Sequence, residues 1–269
     1  MKIGFLITAR LKSSRLHLKL LLDLNGKSVI ERVVERCKAV SNIDEIILCT
    51  STNPQDKPLV DAALKNNIYY YLGSEADVLQ RLSDAATFFN LDYIINITGE
   101  NPLFSIYHAN LVVNLAKQNN YDFINIKGLP IGCAVYGIRP EALKTVCEVK
   151  EEIDTEIWGP LINRPDVFNV KEIDVEEYYT LPKIRITTDY PEDYRFISAI
   201  YKHFSSSAIP NLSDVIELFN NYPSLLEINK SKEQAALPEG TMETIDNFYK
   251  QNLEKVLKIK DKNYKDDKR

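Results

Sequence analysis

Ile3-Gly4-Phe5-Leu6-Ile7-Thr8-Ala9-Arg10-Leu11-Lys12-Ser13-Ser14-Arg15-Leu16-His17-Leu18-Lys19 begins as an apolar run and ends as a cationic loop. Ile3, Phe5, Leu6 and Ile7 form a run of the length and composition that a strand buried on both faces needs. It stops at Thr8-Ala9. Arg10, Lys12, Arg15 and Lys19, with Ser13 and Ser14, then precede the next apolar segment. Ligands of open α/β sheets bind beyond the carboxyl ends of the strands. Guanidinium, ammonium and hydroxyl groups gathered there satisfy many phosphate oxygens together. The stretch reads as a phosphate-binding loop at the end of a buried strand; the plain alternative is a solvated basic loop.

Beyond the loop, Leu20–Leu24 is apolar and Asn25-Gly26 marks a turn. From Ser28 to Val40, Val29, Ile30, Val33, Val34 and Cys37 recur at helical spacing, with Glu31, Arg32, Glu35, Arg36 and Lys38 on the other face. Ser28 and Glu31 form a capping-box pattern. Strands at Glu45–Thr50, Ile68–Leu72, Asp92–Ile97 and Asp122–Asn125 alternate with helices at Lys57–Lys65, Glu75–Phe89 and near 105–118. Short connections between alternating elements predict an α/β fold, a Rossmann-like and mostly parallel sheet flanked by helices.

From Pro130 the pattern changes. Strands are expected at Cys133–Ile138 and Val167–Ile173, with helices at Pro140–Val149 and Asp154–Ile162. Residues 130–182 read as a lobe that closes over the pocket and reaches a partner subunit, within a domain spanning 1–232. Lys183–Thr187 returns as a strand, Asp189-Tyr190-Pro191 opens a helix to about His203, and Pro210–Asn221 adds another. Residues 233–269 form a C-terminal helix and tail. Met242, Ile245, Tyr249, Val256 and Leu257 make the helix's apolar stripe, which docks on its own body or on a second subunit. Lys258–Arg269, alternating Lys and Asp with almost nothing apolar, is expected to fray.

Of the 269 residues, 45% are hydrophobic and 26% charged, an ordinary globular balance. A net charge of -5 argues against a general nucleic-acid binder, and the positive charge gathers in the first loop instead. No apolar run approaches a membrane span, and the N-terminus lacks a signal-peptide pattern. Cys37, Cys49, Cys133 and Cys147 show no C-x-x-C spacing and read as buried free thiols of a cytoplasmic protein. His17, His108 and His203 are too scattered to suggest a zinc site.

Two carboxylates stand out by position. Glu100 follows the fourth strand after Gly99 and should face the same edge as the cationic loop. Asp189 lies at another strand end, just before a proline-started helix. One or two carboxylates, with substrate phosphates supplying further oxygens, is how Mg²⁺ is usually held. Each has a plainer reading, Glu100 as a turn residue before Pro102 and Asp189 as a helix cap. Ser74, Asp77 and Arg81 open the helix after the third strand. There a serine and free backbone groups suit the edge of a base, while Asp77 and Arg81 also fit an i,i+4 salt bridge.

Taken together, Ile7-Thr8-Ala9-Arg10-Leu11-Lys12-Ser13-Ser14-Arg15-Leu16-His17-Leu18-Lys19 resembles the signature loop of the Kdo, acylneuraminate and spore-coat polysaccharide cytidylyltransferases. The resemblance continues through Leu24–Lys27, Thr50–Pro54, Gly73–Arg81, Ile97–Pro102 and Thr187–Asp193, in family order over about residues 1–200. It is nearest to the spore-coat branch, through G-S-E-x-D-V-L-x-R and T-x-D-Y-P-E-D. This resemblance implies a nucleotidyltransferase that moves CMP from CTP onto a sugar or sugar-acid hydroxyl and releases pyrophosphate, in surface polysaccharide or glycoconjugate synthesis. It implies that Arg10, Ser13, Arg15 and Lys19 hold the triphosphate, with Arg15 and Lys19 neutralising charge on the leaving group. Ser74, Asp77 and Arg81 would lie near the base and ribose, and Glu100 and Asp189 would hold Mg²⁺. The expected partners are a nucleotide, a small sugar-like acceptor and a second copy in a homodimer, with neither nucleic acid nor membrane. Tyr136, Glu156, Trp158 and Arg164 are candidates for acceptor contact, with core or dimer packing as the alternative for Trp158.

Three departures bear on activity. His17-Leu18 replaces the family's Pro-Gly, placing a branched side chain where the loop expects glycine. Glu100 replaces the metal-binding aspartate with a carboxylate one methylene longer. Gly128–Ala134 occupies the acceptor region without the acidic pattern of the spore-coat branch. A non-catalytic nucleotide- or sugar-binding protein retaining the fold is therefore a second reading. A glycosyltransferase of similar architecture is a third, ranked last because no Asp-x-Asp occurs in the chain.

Overall fold

Thr8, the last residue of the first strand, lies in register with Thr98 on one side and Cys49 on the other. Around that strand the computed structural model, which describes residues 1–151, 154–155, 158–235 and 237–266, builds a seven-stranded sheet. Its strands are β1 (Ile3–Thr8), β2 (Glu45–Ser51), β3 (Tyr69–Gly73), β4 (Tyr93–Thr98), β5 (Phe123–Lys127), β6 (Tyr136–Ile138) and β7 (Val170–Asp174). They run in the order β3-β2-β1-β4-β6-β5-β7. β6 is antiparallel to β4 and β5, and every other pairing is parallel, as the βαβ alternation predicts. β1 is central: Ile3, Phe5 and Ile7 enter one apolar layer and Leu6 the other. Side chains alternate between the faces of a strand, so both faces need a cover.

The helices are α1 (Val29–Ala39), α2 (Lys57–Lys65), α3 (Val78–Phe88), α4 (Ile106–Gln118), α5 (Pro140–Val149), α6 (Gly159–Ile162), α7 (Pro191–Tyr201), α8 (Leu212–Asn221) and α9 (Thr241–Asp266). One layer takes apolar residues from α1, α2, α4, α7 and α8, the other from α3, α5, α6 and α9. Ser28 and Glu31 form the expected capping box. Among the described residues no helix is long and apolar enough to cross a membrane.

Several expectations change. Arg32 and Arg36, expected on the solvent face of α1, are buried: Arg32 donates to the carbonyls of Leu24, Asn25 and Ser206, and Arg36 to those of Phe104 and Pro210. Each guanidinium buries its charge by satisfying otherwise unpaired loop carbonyls. Lys183–Thr187 forms no named strand. It meets Ile131 at a single bridge, through Ile131 N to Ile184 O at 2.8 Å and Ile186 N to Ile131 O at 2.7 Å. Helix α6 begins at Gly159 rather than Asp154, because Pro160 is tolerated in a helix's first turn and not in its interior. Glu156 lies outside the described residues.

Residues 258–266 continue α9 instead of fraying. Lys260 Nζ donates to the Val167 carbonyl at 2.7 Å and Asn263 Nδ2 to Thr145 Oγ1 at 3.2 Å, giving this polar stretch fixed partners. Ile245, Tyr249 and Val256 face the body as expected, while Met242 and Leu257 are exposed. The helix docks on its own chain, with Tyr249 Oη donating to the Leu161 carbonyl at 2.6 Å. Trp158 is core, edge-on to Phe123 and Tyr136. Arg164 pairs with Asp246 and stacks on Tyr249.

All four cysteines are unpaired thiols. Burial raises the Cys37 pKa well above its ordinary value and pushes those of Cys49, Cys133 and Cys147 up to about 12. The thiolate is the reactive form. A disulfide reagent at pH 8 should therefore label the native protein little and all four thiols after denaturation; rapid native labelling of Cys37, Cys49 or Cys133 would contradict their burial.

Candidate active site

The register of β1 with β4 brings the cationic loop and Glu100 to the same edge. Gly99 N bonds the Thr8 carbonyl at 2.8 Å, so the two strands release their loops side by side. Thr188 N then bonds the Glu100 carbonyl at 2.9 Å, fastening the distant segment that carries Asp189 beside them. Gly132 supports this from behind: at φ +92° it approaches so closely that an added Cβ would lie 2.4 Å from the Ile186 carbonyl. The Gly128–Ala134 segment thus braces the approach to Asp189.

Arg15, Lys19, Glu100 and Asp189 together line one cavity of about 580 Å³. Lys19 Nζ sits 2.8 Å from Asp189 Oδ1, with an Arg15 nitrogen 3.5 Å from the same oxygen. Arg185 holds the other oxygen, Oδ2, at 3.2 Å. The Arg15 guanidinium also lies 5.0 Å from the centre of the Tyr190 ring, within cation–π range. Asp189 does not cap α7. That task falls to Asp193, whose Oδ2 accepts from Asp189 N at 3.2 Å and Tyr190 N at 3.1 Å.

Burial opposes the charge on Lys19, yet the carboxylates of Glu100 and Asp189 outweigh it and hold its pKa above the usual 10.5. Burial likewise opposes the charge on Asp189, and Lys19, Arg15 and Arg185 overcome it, holding the carboxyl below the usual 3.8. Both groups are therefore charged across the neutral range.

The start of the loop is held differently. Leu11 N donates to Asp56 Oδ1 at 2.7 Å, and Ser51 Oγ donates to the other oxygen of that buried carboxylate. Arg10 reaches the Glu75 carbonyl, joining the loop to the turn after β3. Ser13 Oγ accepts from Leu16 N at 3.4 Å, while Lys12 pairs with Glu75 at 3.6 Å.

In that turn Ser74 Oγ accepts from Asp77 N at 3.0 Å. Asp77 caps α3 through Gln80 N and turns to Lys150 and Thr155 for its side-chain partners, rather than to Arg81. Arg81 is fully enclosed and donates to the Ser74 and Glu75 carbonyls. Burial lowers its pKa to about 10. It shapes the turn from beneath. The candidate residues thus form two groups, Arg15, Lys19, Glu100 and Asp189 around the cavity, and Arg10, Ser74, Asp77 and Arg81 around the turn, with Ser13 inside the connecting loop.

Leu18 adopts φ 50° and ψ 31°, a left-handed conformation. The loop thus keeps a glycine-like path without glycine. The left-handed conformation costs a branched residue about 1–2 kcal/mol, partly offset by the ~0.4–1 kcal/mol of unfolded-chain entropy that glycine adds. Leu18→Gly should therefore raise the denaturant midpoint, by about 0.5–1 kcal/mol in stability. A lowered midpoint would mean that Leu18 packing outweighs its backbone strain.

Sequence reasoning missed Asp56, Arg185, Asn229 and Gln234; it read Asp193 as part of the α7 helix start, which the structure bears out, but not its pairing with Arg185. Arg185 binds Asp193 as well as Asp189, and its free end donates to Gln234 Oε1 at 2.6 Å. Asn229 Nδ2 donates to Asp193 Oδ1 at 2.9 Å and to the Arg185 carbonyl at 3.0 Å. The available signal was Arg185 itself, a charge between Ile184 and Ile186, four residues from one acid with a second four beyond it. Gln234, Ala235, Leu237, Pro238, Thr241 and Ile245 also wall the cavity.

Known proteins are similar to this chain over most of its length. An uncharacterised protein of Methanocaldococcus jannaschii is 31% identical over 241 residues, covering 89% of this chain and 99% of that protein. The spore coat polysaccharide biosynthesis protein SpsF of Bacillus subtilis is 24% identical over 82% of this chain and 95% of its own. A cytidylyltransferase structure from Leptospira borgpetersenii superposes with a TM-score of 0.79 at 24% identity, over 88% of this chain and all of that one. A CMP-2-keto-3-deoxy-manno-octonic acid synthetase solved with CTP has a TM-score of 0.60 at 16% identity, over 76% of this chain and 99% of that one. These structures share the fold. Residues 5–238 match the cytidylyltransferase family model, and the chain belongs to that family of nucleotidyltransferases.

Proposed function

We propose that this protein transfers CMP from CTP to a sugar-like hydroxyl acceptor in a Mg²⁺-dependent reaction that releases pyrophosphate. The observation that carries the reading is the meeting of Arg15, Lys19, Glu100 and Asp189 in one cavity at the end of β1 and β4. The name of the Bacillus subtilis relative, a spore coat polysaccharide biosynthesis protein, supports a role in making surface polysaccharide or glycoconjugate. Action as a homodimer in the cytoplasm belongs to the same proposal, as do a nucleotidyltransferase domain over 1–232 and a C-terminal unit from 233.

The acceptor oxygen attacks the α-phosphorus as the bond to the β-phosphate bridging oxygen breaks, and the hydroxyl proton is released. Charge builds on the departing pyrophosphate. Lys19 and Arg15 are the cations placed to bind it, exchanging Asp189 for phosphate oxygens. Arg10 and Ser13 orient the phosphate chain from the same loop. Ser74 and Asp77 present the turn to the base and ribose, with Arg81 acting through that turn.

The donor set fits Mg²⁺. Glu100 and Asp189 provide hard carboxylate oxygens, and Asp189 stays ionised to well below neutrality. Mg²⁺ keeps several waters and is held through one or two carboxylates plus substrate phosphates, so a pair of carboxylates beside the triphosphate would meet its needs. Held by Glu100 and Asp189, such an ion would supply charge neutralisation and a template for the phosphates.

Thermal-shift measurements with CTP, UTP, GTP and ATP, each with Mg²⁺, test the nucleotide assignment. CTP at 100 times its dissociation constant should add about 2.7 kcal/mol of stability. No shift with any nucleotide, or a larger one with a purine, would overturn the reading.

A further inference from the structure

Resting on the proposed transferase reading, we infer that Arg185 is a positioning residue that sets which divalent cation the site takes. By holding Oδ2 of Asp189 it leaves one oxygen, Oδ1, for the ion, which favours Mg²⁺ over Ca²⁺. The two oxygens have unlike partners. Oδ1 meets Lys19 at 2.8 Å and Arg15 at 3.5 Å. Both of those cations line the cavity, where phosphate oxygens of a nucleotide can draw them off. Oδ2 meets Arg185 Nη2 at 3.2 Å. Arg185 is 3% exposed and is not among the residues lining the cavity. Its other bonds pin it: Nη2 also donates to Asp193 Oδ2 at 3.1 Å, Nε to Asp193 Oδ1 at 3.5 Å and Nη1 to Gln234 Oε1 at 2.6 Å. Leaving these partners would strand the wholly buried Asp193 carboxylate, a costly step. Nucleotide entry therefore frees Oδ1 and leaves Oδ2 held.

Ligand number decides the ion. Ca²⁺ gathers about six to eight oxygens and readily takes both oxygens of one carboxylate, whereas Mg²⁺ takes an octahedral set and keeps several waters. A carboxylate with one oxygen committed to a guanidinium supplies a single ligand and cannot chelate. Asp189 also has little freedom to turn. Its backbone N donates to Asp193 Oδ2 at 3.2 Å, so main chain and side chain are tied to the same Arg185–Asp193 pair. Asn229 Nδ2 braces that pair from the far side, donating to Asp193 Oδ1 at 2.9 Å and to the Arg185 carbonyl at 3.0 Å. Partners that orient a metal-binding carboxylate in this way are typically worth about 10–100-fold in metal affinity.

Titration calorimetry on the full chain tests this, with the Kd of CTP measured in saturating Mg²⁺ and in saturating Ca²⁺ and no acceptor present. The wild-type protein should bind CTP more tightly with Mg²⁺. Arg185→Lys offers one nitrogen, which the buried Asp193 claims, so Oδ2 of Asp189 is released. The Mg²⁺-to-Ca²⁺ preference should then fall about ten-fold, mainly through loss with Mg²⁺. Asp193→Asn disturbs the same buried network but leaves Arg185 on Asp189, and it should keep the wild-type preference. A purely structural role for Arg185 would weaken binding with both ions alike, and an unchanged preference in folded Arg185→Lys would overturn the inference. A crystal structure of the wild-type protein with CTP and Ca²⁺ decides the matter if that variant does not fold. It should show the ion on Oδ1 with Oδ2 still on Arg185, and Ca²⁺ on both oxygens would sink the proposal. Failure of the transferase reading shows separately, as no CTP binding to the wild-type protein with either ion.

Discussion

Replacing Lys19 with alanine is expected to slow pyrophosphate release from CTP by about 10²–10³-fold, the usual cost of removing a donor aimed at charge that develops in the transition state. Lys19 is largely enclosed, bonds Asp189 at 2.8 Å and lies in the field of Glu100. Its removal should leave the fold standing, because Asp189 keeps Arg15 and Arg185. A variant with intact turnover would remove Lys19 from the reaction. A variant that is unfolded would mark Lys19 as a structural residue instead.

The same pair sets a pH expectation with a definite sign. The Asp189 pKa is depressed on folding, so its contribution to stability is present above about pH 4 and is lost as pH falls through the folded value. The Lys19 pKa is raised, so its contribution is complete below 10.5 and is lost as pH rises beyond that. The pair therefore leaves stability flat through neutrality. Asp189→Asn should shrink the acid-side fall in melting temperature; an unchanged acid limb would show that other carboxylates carry it.

Arg185→Met is expected to be the most damaging single change to stability, costing about 3–5 kcal/mol. Arg185 is 3% exposed and its partner Asp193 is wholly buried. Methionine fills similar space but strands the Asp193 carboxylate, which among the described residues keeps the backbone of Asp189 and Tyr190 and the Asn229 amide. Lysine at 185 restores the charge without the planar fork that serves Asp189, Asp193 and Gln234 at once, so its loss should be intermediate. Equilibrium denaturation of the two variants measures the order. Equal stability of methionine and arginine would mean that Asp193 finds a replacement partner.

The alternation of strands and helices through residue 125 was readable because β1, β2, β4 and β5 are apolar and buried and each helix keeps one apolar face, so local pattern and tertiary burial agree; β3, at the sheet edge with Tyr69, Tyr70 and Leu72 exposed, is the exception. The convergence of Arg15, Lys19 and Glu100 was readable for a related reason: parallel strands release their loops at one edge. What the pattern hid was charge used internally. Arg32 and Arg36 look like the solvent face of α1 until the loop carbonyls of Phe104, Ser206 and Pro210 arrive to cover them. The polar end of α9 looked unfolded for the same reason, since the partners of Lys260 and Asn263 lie on distant segments. Arg185 and Gln234 join across a gap in the chain that no local spacing reports.

The cavity walls come from segments as far apart in the chain as Arg15, Lys19, Glu100, Leu161, Asp189, Gln234 and Ile245, which has a consequence in time. A ribosome can finish the sheet as soon as β7 is made, yet the pocket stays open on one side until Ile245 has emerged and α9 has room to dock. Nascent chains that have exposed Asp189 but not yet Ile245 would carry the charged residues of the cavity without its wall from Gln234 to Ile245, which gives the order of assembly a direct experimental handle.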